Sequence, residues 1–327
     1  MNSYIFNKLD YFIWDAHACP TLSLNADLSA LFEFKNNGYS YVSLNVGFEA
    51  NSRKEVLAII NYFTHFIAEN QSDFLLVKNI DELLDAKKNN KLAISFDIEG
   101  IGPLDNALEN VELFYNLGVK QIAPVYNTNN VCGGGCFDND NGLKPEGYDL
   151  VKEMNRLGIL IDCSHSGYKT SLDIIENSKH PIIFSHSNPK KLCNHERNIS
   201  EDLIVACAEK NGVIGLNGIN IFITDEKSTA VNFVNQIDYI VGLVGVDHVG
   251  LGFDFVFEHE KTLELVKKYP ENFPNSEQYS NIQMLSPNSI DDKINELIRR
   301  DYNFQDIDKI LGGNFFRVAS LVWSNKC

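Results

Sequence analysis

The stretch ILIDCSHSGYKTSLDIIENSKHPIIFSHS, residues 159–187, decides the fold. Its two ends, Ile159 to Cys163 and Pro181 to Ser185, are short apolar runs of strand character, and Lys169 to Asn177 between them has helical spacing. Strand, helix, strand implies two parallel strands joined by a crossover helix. Each strand runs directly into a histidine, His165 and His186.

The same alternation continues outward in both directions. Further strand-like runs lie at Tyr11 to Asp15, Tyr41 to Asn45, Leu92 to Asp97, Gln121 to Val125, Val213 to Asn217 and Val249 to Phe253, which brings the number to eight. Helical spacing recurs between them at Arg53 to Ala68, Leu104 to Leu117, Gly147 to Leu157, Glu201 to Lys210 and Ala230 to Leu243. Eight strands alternating with helices predict a (β/α)8 TIM-like barrel, and without repeats or linkers the whole of residues 1–327 reads as one domain. Phe74 to Val77 is a ninth strand-like run, which keeps an open doubly wound sheet as the alternative. Residues 256–288, rich in Glu, Lys, Pro, Ser and Asn, read as a long loop after the last barrel strand.

Composition narrows the function. With 28 Lys and Arg against 44 Asp and Glu, the chain carries a net charge of −16, which repels nucleic acid and anionic lipid. No apolar run approaches the roughly 18 residues of a membrane span, and the first residues lack the basic and apolar regions of a leader. The expectation is a cytoplasmic protein with neither membrane nor nucleic acid as partner; a homodimer stays open. Seven cysteines are an odd number in a chain large enough not to need staples, so reduced thiols are expected. Cys132-Gly-Gly-Gly-Cys136 lacks a second pair of matching spacing and reads as a plain glycine-rich loop.

The ionisable residues are informative by where they fall. His17 follows the first strand, Glu99 ends the third, His165 the fifth, His186 the sixth and Asp254 the eighth. In a barrel all five converge on the rim where such folds place their chemistry, and three imidazoles with two carboxylates suit zinc or a similar divalent ion. Any one of them alone reads as a structural histidine or a helix cap; the coincidence carries the argument. His65, His180, His248 and His259 do not fit the pattern and read as structural or solvated, and His195 is a candidate for a supporting role.

The ordered motifs resemble the membrane dipeptidase (renal dipeptidase) family of zinc metallopeptidases, barrel enzymes of the amidohydrolase type. The matching runs are Asp15-Ala-His17, Asp97-Ile-Glu99-Gly100, Glu153-Met-Asn-Arg-Leu-Gly158, Ile161-Asp-Cys-Ser-His165, Phe184-Ser-His186-Ser187, His195-Glu-Arg-Asn198, His248-Val-Gly-Leu-Gly-Phe-Asp254 and Leu311-Gly-Gly-Asn-Phe-Phe-Arg-Val318.

This resemblance implies a dipeptidase that cleaves a small dipeptide with a metal-bound hydroxide. It implies two zinc ions, with His17 on one, His165 and His186 on the other, and Glu99 bridging. Asp254 matches the acid/base residue and Arg197 the residue that holds the substrate carboxylate. Two positions depart from the pattern. Cys19 stands where the family has an aspartate ligand, and a thiolate is a competent but softer zinc ligand. Tyr126 stands where a histidine assists the substrate carbonyl; a phenol can still donate a hydrogen bond to an oxyanion. The departures leave open one ion or two. They also leave two other readings: a barrel amidohydrolase acting on another carboxylate-bearing amide in a biosynthetic pathway, and a catalytically impaired binding relative.

Overall fold

The computed structural model describes residues 8–105, 107–224 and 228–323, so the first seven residues and Cys327 lie outside it. Ten strands form one parallel sheet: β1 Ile13–Cys19, β2 Tyr39–Phe48, β3 Phe74–Leu76, β4 Leu92–Glu99, β5 Val119–Ala123, β6 Leu160–Ile161, β7 Ile183–Phe184, β8 Val213–Leu216, β9 Val249–Leu251 and β10 Phe255–Val256. The path of pairing runs β6-β5-β4-β2-β1-β9-β8-β7, and a parallel bridge between Asp162 and Ile183 brings β6 back to β7. The result is an eight-stranded (β/α)8 barrel. Every residue of β2 and β4 is buried, as expected where a parallel strand has side chains inside the barrel on one face and helices on the other.

The ninth strand-like run is a real strand outside the barrel path. β3 pairs with the first residues of β4, Leu92 to Ile94, and β5 takes over further along, from Phe96 to Glu99. The last barrel strand is split instead of continuous: β9 meets β1 at Asp15, β10 meets it at Ala18 and Cys19, and between them Asp254 adopts left-handed backbone with φ 56°. The first strand extends beyond the expected run, so His17 and Cys19 lie inside β1 and not after it. A register shift against β2 between Asp15 and Ala18 interrupts the regular alternation here, and beyond Asp15 both His17 and Cys19 face the site.

β6 and β7 are only two residues long because their ladder gives way to a side chain. Asp162 Oδ1 accepts from the backbone N–H groups of Ser164 and Ser185, each at 2.9 Å. The helix expected from Leu104 starts at Glu109, since Asp105 takes a left-handed turn, φ 51°, that α-helix cannot continue. Other helices start where caps place them, most clearly Arg53–Glu69, where Ser52 and Glu55 form a reciprocal capping box. The 256–288 segment is ordered: it holds helix His259–Lys268 and a 3-10 turn, Ser276–Asn281.

Opposite the site, helix Asn314–Trp323 closes the bottom of the barrel. Phe315 lies against Trp14, which stacks on Tyr41 at 3.7 Å between centroids. Asn314 Nδ2 is shared by the carbonyls of Val246 and Val249. The Leu311-Gly-Gly-Asn run therefore has a packing explanation. A side chain on Gly312 would meet the Phe12 carbonyl at 2.1 Å.

Candidate active site

The C-terminal ends of the strands bring His17, Cys19, Glu99, His165, His186 and Asp254 together, with Tyr126 and Arg197 from the loops beside them. Seven of these eight line one cavity of about 920 Å³, counting its open mouth, and His17 lies behind Cys19 and Glu99. Three imidazole Nε2 atoms approach a single carboxylate oxygen, Glu99 Oε1: His165 at 2.9 Å, His186 at 3.3 Å and His17 at 3.6 Å. That oxygen is buried and has no ordinary hydrogen-bond partner among the described residues. Such an atom is costly unless something else satisfies it.

The opposite nitrogen of each ring shows what that something is. His165 Nδ1 lies 2.7 Å from Asn127 Oδ1, and Asn127 Nδ2 donates to the Asn272 carbonyl at 2.8 Å. The second bond fixes which end of the amide is the acceptor, so His165 Nδ1 carries the proton and Nε2 a lone pair. His186 Nδ1 lies 2.6 Å from Ser185 Oγ, whose one hydrogen goes to Asp162 Oδ2. The hydroxyl must then accept from His186, and its Nε2 is free as well. His17 Nδ1 faces Asp97 Oδ1 at 3.2 Å, and Asp97 is held by Ser43 Oγ and Asn45 Nδ2.

His165 Nε2 and His186 Nε2 stand only 2.9 Å apart without a proton to share. Lone pairs so close, aimed at an orphaned carboxylate oxygen, fit a divalent cation. Burial, reinforced by Arg197 beside His165 and by His17 beside His186, holds both imidazoles well below the usual histidine range, in the neutral form that ligates metal.

A second group of donors adjoins the first. Cys19 Sγ lies 3.2 Å from His17 Nε2 and donates to Asp254 Oδ1 at 3.0 Å. Together His17, Cys19 and Asp254 offer another set of ligand atoms, all within 4.8 Å of one another. Burial, with Asp254 next to it, pushes the Cys19 thiol well up, so without metal it is a neutral donor. Burial opposes ionisation of Asp254, yet His17 and the hydrogen bonds from Cys19 and Asn217 hold its carboxyl below the ordinary range. Asn217 Nδ2 fixes its other oxygen at 2.9 Å.

Arg197 is 4% exposed and forms no ion pair with a carboxylate among the described residues. Its Nη2 lies 3.2 Å from His165 Nε2 and 3.4 Å from the His186 carbonyl. His195, a candidate for a supporting role, accepts from the Arg197 N–H at Nδ1 and meets Gln278 at Nε2. Tyr126 stacks on the His165 ring, 4.2 Å between centroids; burial, then Glu99, pushes its phenol well above the ordinary value, so it stays a neutral donor. The glycine-rich loop wraps behind His165. A side chain on Gly135 would meet the Asn127 carbonyl at 2.1 Å, and Cys136 N–H donates to the His165 carbonyl.

Sequence reasoning missed the residues that orient the candidate ligands: Asp97, Asn127, Asp162, Ser185 and Asn217. Asp97, two residues before Glu99 on one strand face, carried a usable signal; Asn127, in an irregular loop, carried none. Asn127→Ala should weaken divalent-metal binding about 10- to 100-fold, the usual cost of losing a ligand's hydrogen-bond partner. A competition titration against a chromogenic chelator measures it, and unchanged affinity would show that His165 is oriented by other means.

The model of the membrane dipeptidase family, peptidase family M19, matches residues 21–275. An uncharacterized dipeptidase of Schizosaccharomyces pombe is 32% identical over 257 residues, 74% of this chain and 61% of that protein. The dipeptidase tcpJ of Claviceps purpurea is 29% identical over 246 residues, 73% of this chain and 53% of its own. The match thus spans less than two thirds of the length of these two relatives. Among solved structures, an amidohydrolase from Pseudomonas aeruginosa superposes with a TM-score of 0.90 at 25% identity, covering 97% of this chain and 98% of that one. A metallopeptidase from Rhodobacter sphaeroides, solved with a phosphinate mimic of the dipeptide L-Ala-D-Ala, shares the fold with a TM-score of 0.79 at 19% identity, over 96% and 99% of the two chains. The extent of the family match, on a barrel whose rim gathers imidazoles around one glutamate, leads to one conclusion: the chain belongs to the membrane dipeptidase family, peptidase family M19.

Proposed function

We propose that the protein is a metal-dependent dipeptidase that hydrolyses the peptide bond of small dipeptides with two zinc ions. The observation that carries the reading is the convergence of three imidazole nitrogens on the orphaned Glu99 Oε1, beside the guanidinium of Arg197, which has no carboxylate partner among the described residues. His165, His186 and Glu99 would hold one ion; His17, Cys19 and the shared Glu99 the other. Bound divalent ions supply Lewis acidity toward a carbonyl and make water a nucleophile near neutral pH.

The chain's own residues do the rest. Arg197 binds the terminal carboxylate of the substrate through a bidentate fork, which selects dipeptides over internal peptide bonds. Tyr126 has no hydrogen-bond partner for its hydroxyl among the described residues, so it can donate to the oxygen that becomes negative. Asp254, ionised and fixed by Asn217, takes a proton from the attacking water and delivers it to the departing amine. Among the described residues Cys19, Cys132, Cys136, Cys163, Cys193 and Cys207 form no disulfide, which suits a reducing compartment such as the cytoplasm.

The test is hydrolysis of an unblocked dipeptide library by zinc-loaded protein, with metal counted by atomic emission. Turnover of free dipeptides but not of C-terminally amidated ones is expected, with about two ions per chain. A library left intact under zinc, manganese and cobalt would overturn the reading. Cys19 can be tested separately: as a ligand it should resist alkylation with metal bound and react after chelation, since a coordinated thiolate is no longer a nucleophile. Cys19→Ser should lower occupancy of one ion only. Alkylation equally slow in both states would make Cys19 a packing residue.

A further inference from the structure

We propose that the site selects dipeptides with large, uncharged apolar side chains, through a wall that the segment after β10 builds over the rim; this rests on the dipeptidase reading above. The segment leaves β10, runs through helix His259–Lys268 and the turn Ser276–Asn281, and returns at Met284, which bridges to Ile219. It is pinned by polar bonds to the same residues that order the site. The Asn272 carbonyl accepts from Asn127, Gln278 Oε1 meets His195 Nε2 at 2.9 Å, and Gln283 exchanges two hydrogen bonds with Asn220. A wall held in this way is formed before substrate arrives.

What the wall presents to the cavity is apolar. Val266, Phe273 and Tyr279 from the segment pack with Phe48 and Tyr126 from the barrel rim. Phe273 lies 5.8 Å from both Phe48 and Tyr126 and 6.0 Å from Tyr279, ring centroid to ring centroid, with the rings tilted or edge to face. Beyond the ligand cluster, Arg197 and Asp254, the one charged side chain lining the cavity among the described residues is Lys261, and its ammonium is paired with Glu258 at 2.7 Å. A carboxylate or ammonium on a substrate side chain would lose water here and find no counter-charge, whereas a leucine or phenylalanine side chain gains burial. Discrimination of about tenfold or more in kcat/KM is the expected scale.

The experiment compares X-Ala and Ala-X dipeptides, with X as Leu, Phe, Ala, Asp or Lys, on zinc-loaded protein. Binding of Leu-Leu and Asp-Asp is measured in parallel by calorimetry. Leu and Phe substrates should exceed Asp and Lys ones at least tenfold in one of the two series, and Leu-Leu should bind more tightly than Asp-Asp. Phe273→Ala should lower the ratio of kcat/KM for Phe-containing over Ala-Ala substrates mainly through KM, while Phe273→Lys should raise Asp substrates relative to Lys ones. Charged substrates equal to or better than apolar ones, or equal binding of Leu-Leu and Asp-Asp, would overturn the wall. Apolar preference in binding without any turnover would support the wall and overturn the dipeptidase reading. If a Phe273 variant fails to fold, by circular dichroism, the wild-type panel still decides.

Discussion

Glu99→Gln should cost the protein its metal and about three orders of magnitude or more in kcat/KM. The substitution keeps shape and volume but replaces an acceptor with an amide at the point where His17, His165 and His186 aim their Nε2 atoms. If the amide nitrogen takes that place, its hydrogens satisfy the lone pairs that a cation otherwise would. If the amide oxygen takes it, the negative charge that favours a divalent ion is gone. Lewis acidity and water activation are together worth several kcal/mol, and ~4 kcal/mol corresponds to ~10³-fold in rate. The fold should not suffer. Glu99 Oε1 is a buried acceptor with no hydrogen-bond partner among the described residues, and removing such a group relieves desolvation, so the metal-free variant should melt no lower than metal-free wild type. Metal content by atomic emission, kcat/KM and a denaturation curve separate loss of site from loss of fold. Full zinc content with full activity would remove Glu99 from the centre of the site.

Much of that centre was legible because a parallel barrel converts a one-dimensional pattern into a place. Wherever an apolar run ends in His, Glu or Asp, the polar residue comes out on the same rim as every other such residue. Glu99, His165, His186 and Asp254 could be read this way although β6 and β7 proved only two residues long. The shortness itself was hidden, because it depends on Asp162 reaching across to Ser185, 23 residues away, in place of ladder bonds. His17 and Cys19 were found, but β1 runs on past Asp15 to include them. They stand 3.2 Å apart, Sγ to Nε2, on a stretch where the register against β2 shifts, which the sequence does not mark.

The residues that could not be read share a physical cause. Asn127 has left-handed backbone, φ 58°, in a loop without periodicity, and its amide ties His165 to Asn272, which lies 145 residues further on. Nothing local marks such a contact. The 256–288 segment looked structureless by composition, since Pro, Asn, Ser and Lys obscure its apolar spacing. Phe273 and Tyr279 are buried by one another and by Phe48 and Tyr126, not by a regular helix face. Tertiary packing made a wall from residues whose local preferences predict a loop.

Arg197→Ala should lower kcat/KM for free dipeptides about 10- to 100-fold, the scale of losing a charge-assisted bond worth about 1.5 to 3 kcal/mol. A guanidinium 4% exposed and without a carboxylate partner among the described residues is expensive to keep, so its retention points to a ligand that completes it. The Ala variant should therefore be at least as stable as wild type in the absence of substrate, an exchange of activity for stability expected of a binding residue. It should also lose discrimination: wild type should prefer a free C-terminus to an amidated one, and the variant should treat the two alike. Arg197→Lys keeps the charge but not the planar fork, and should recover part of the preference but not the rate. The measurement is kcat/KM on a dipeptide and its amide for all three proteins. If the free-to-amidated ratio is the same in wild type and Arg197→Ala, the guanidinium does not read the carboxylate, and its 3.2 Å approach to His165 becomes a contact that only positions the ring.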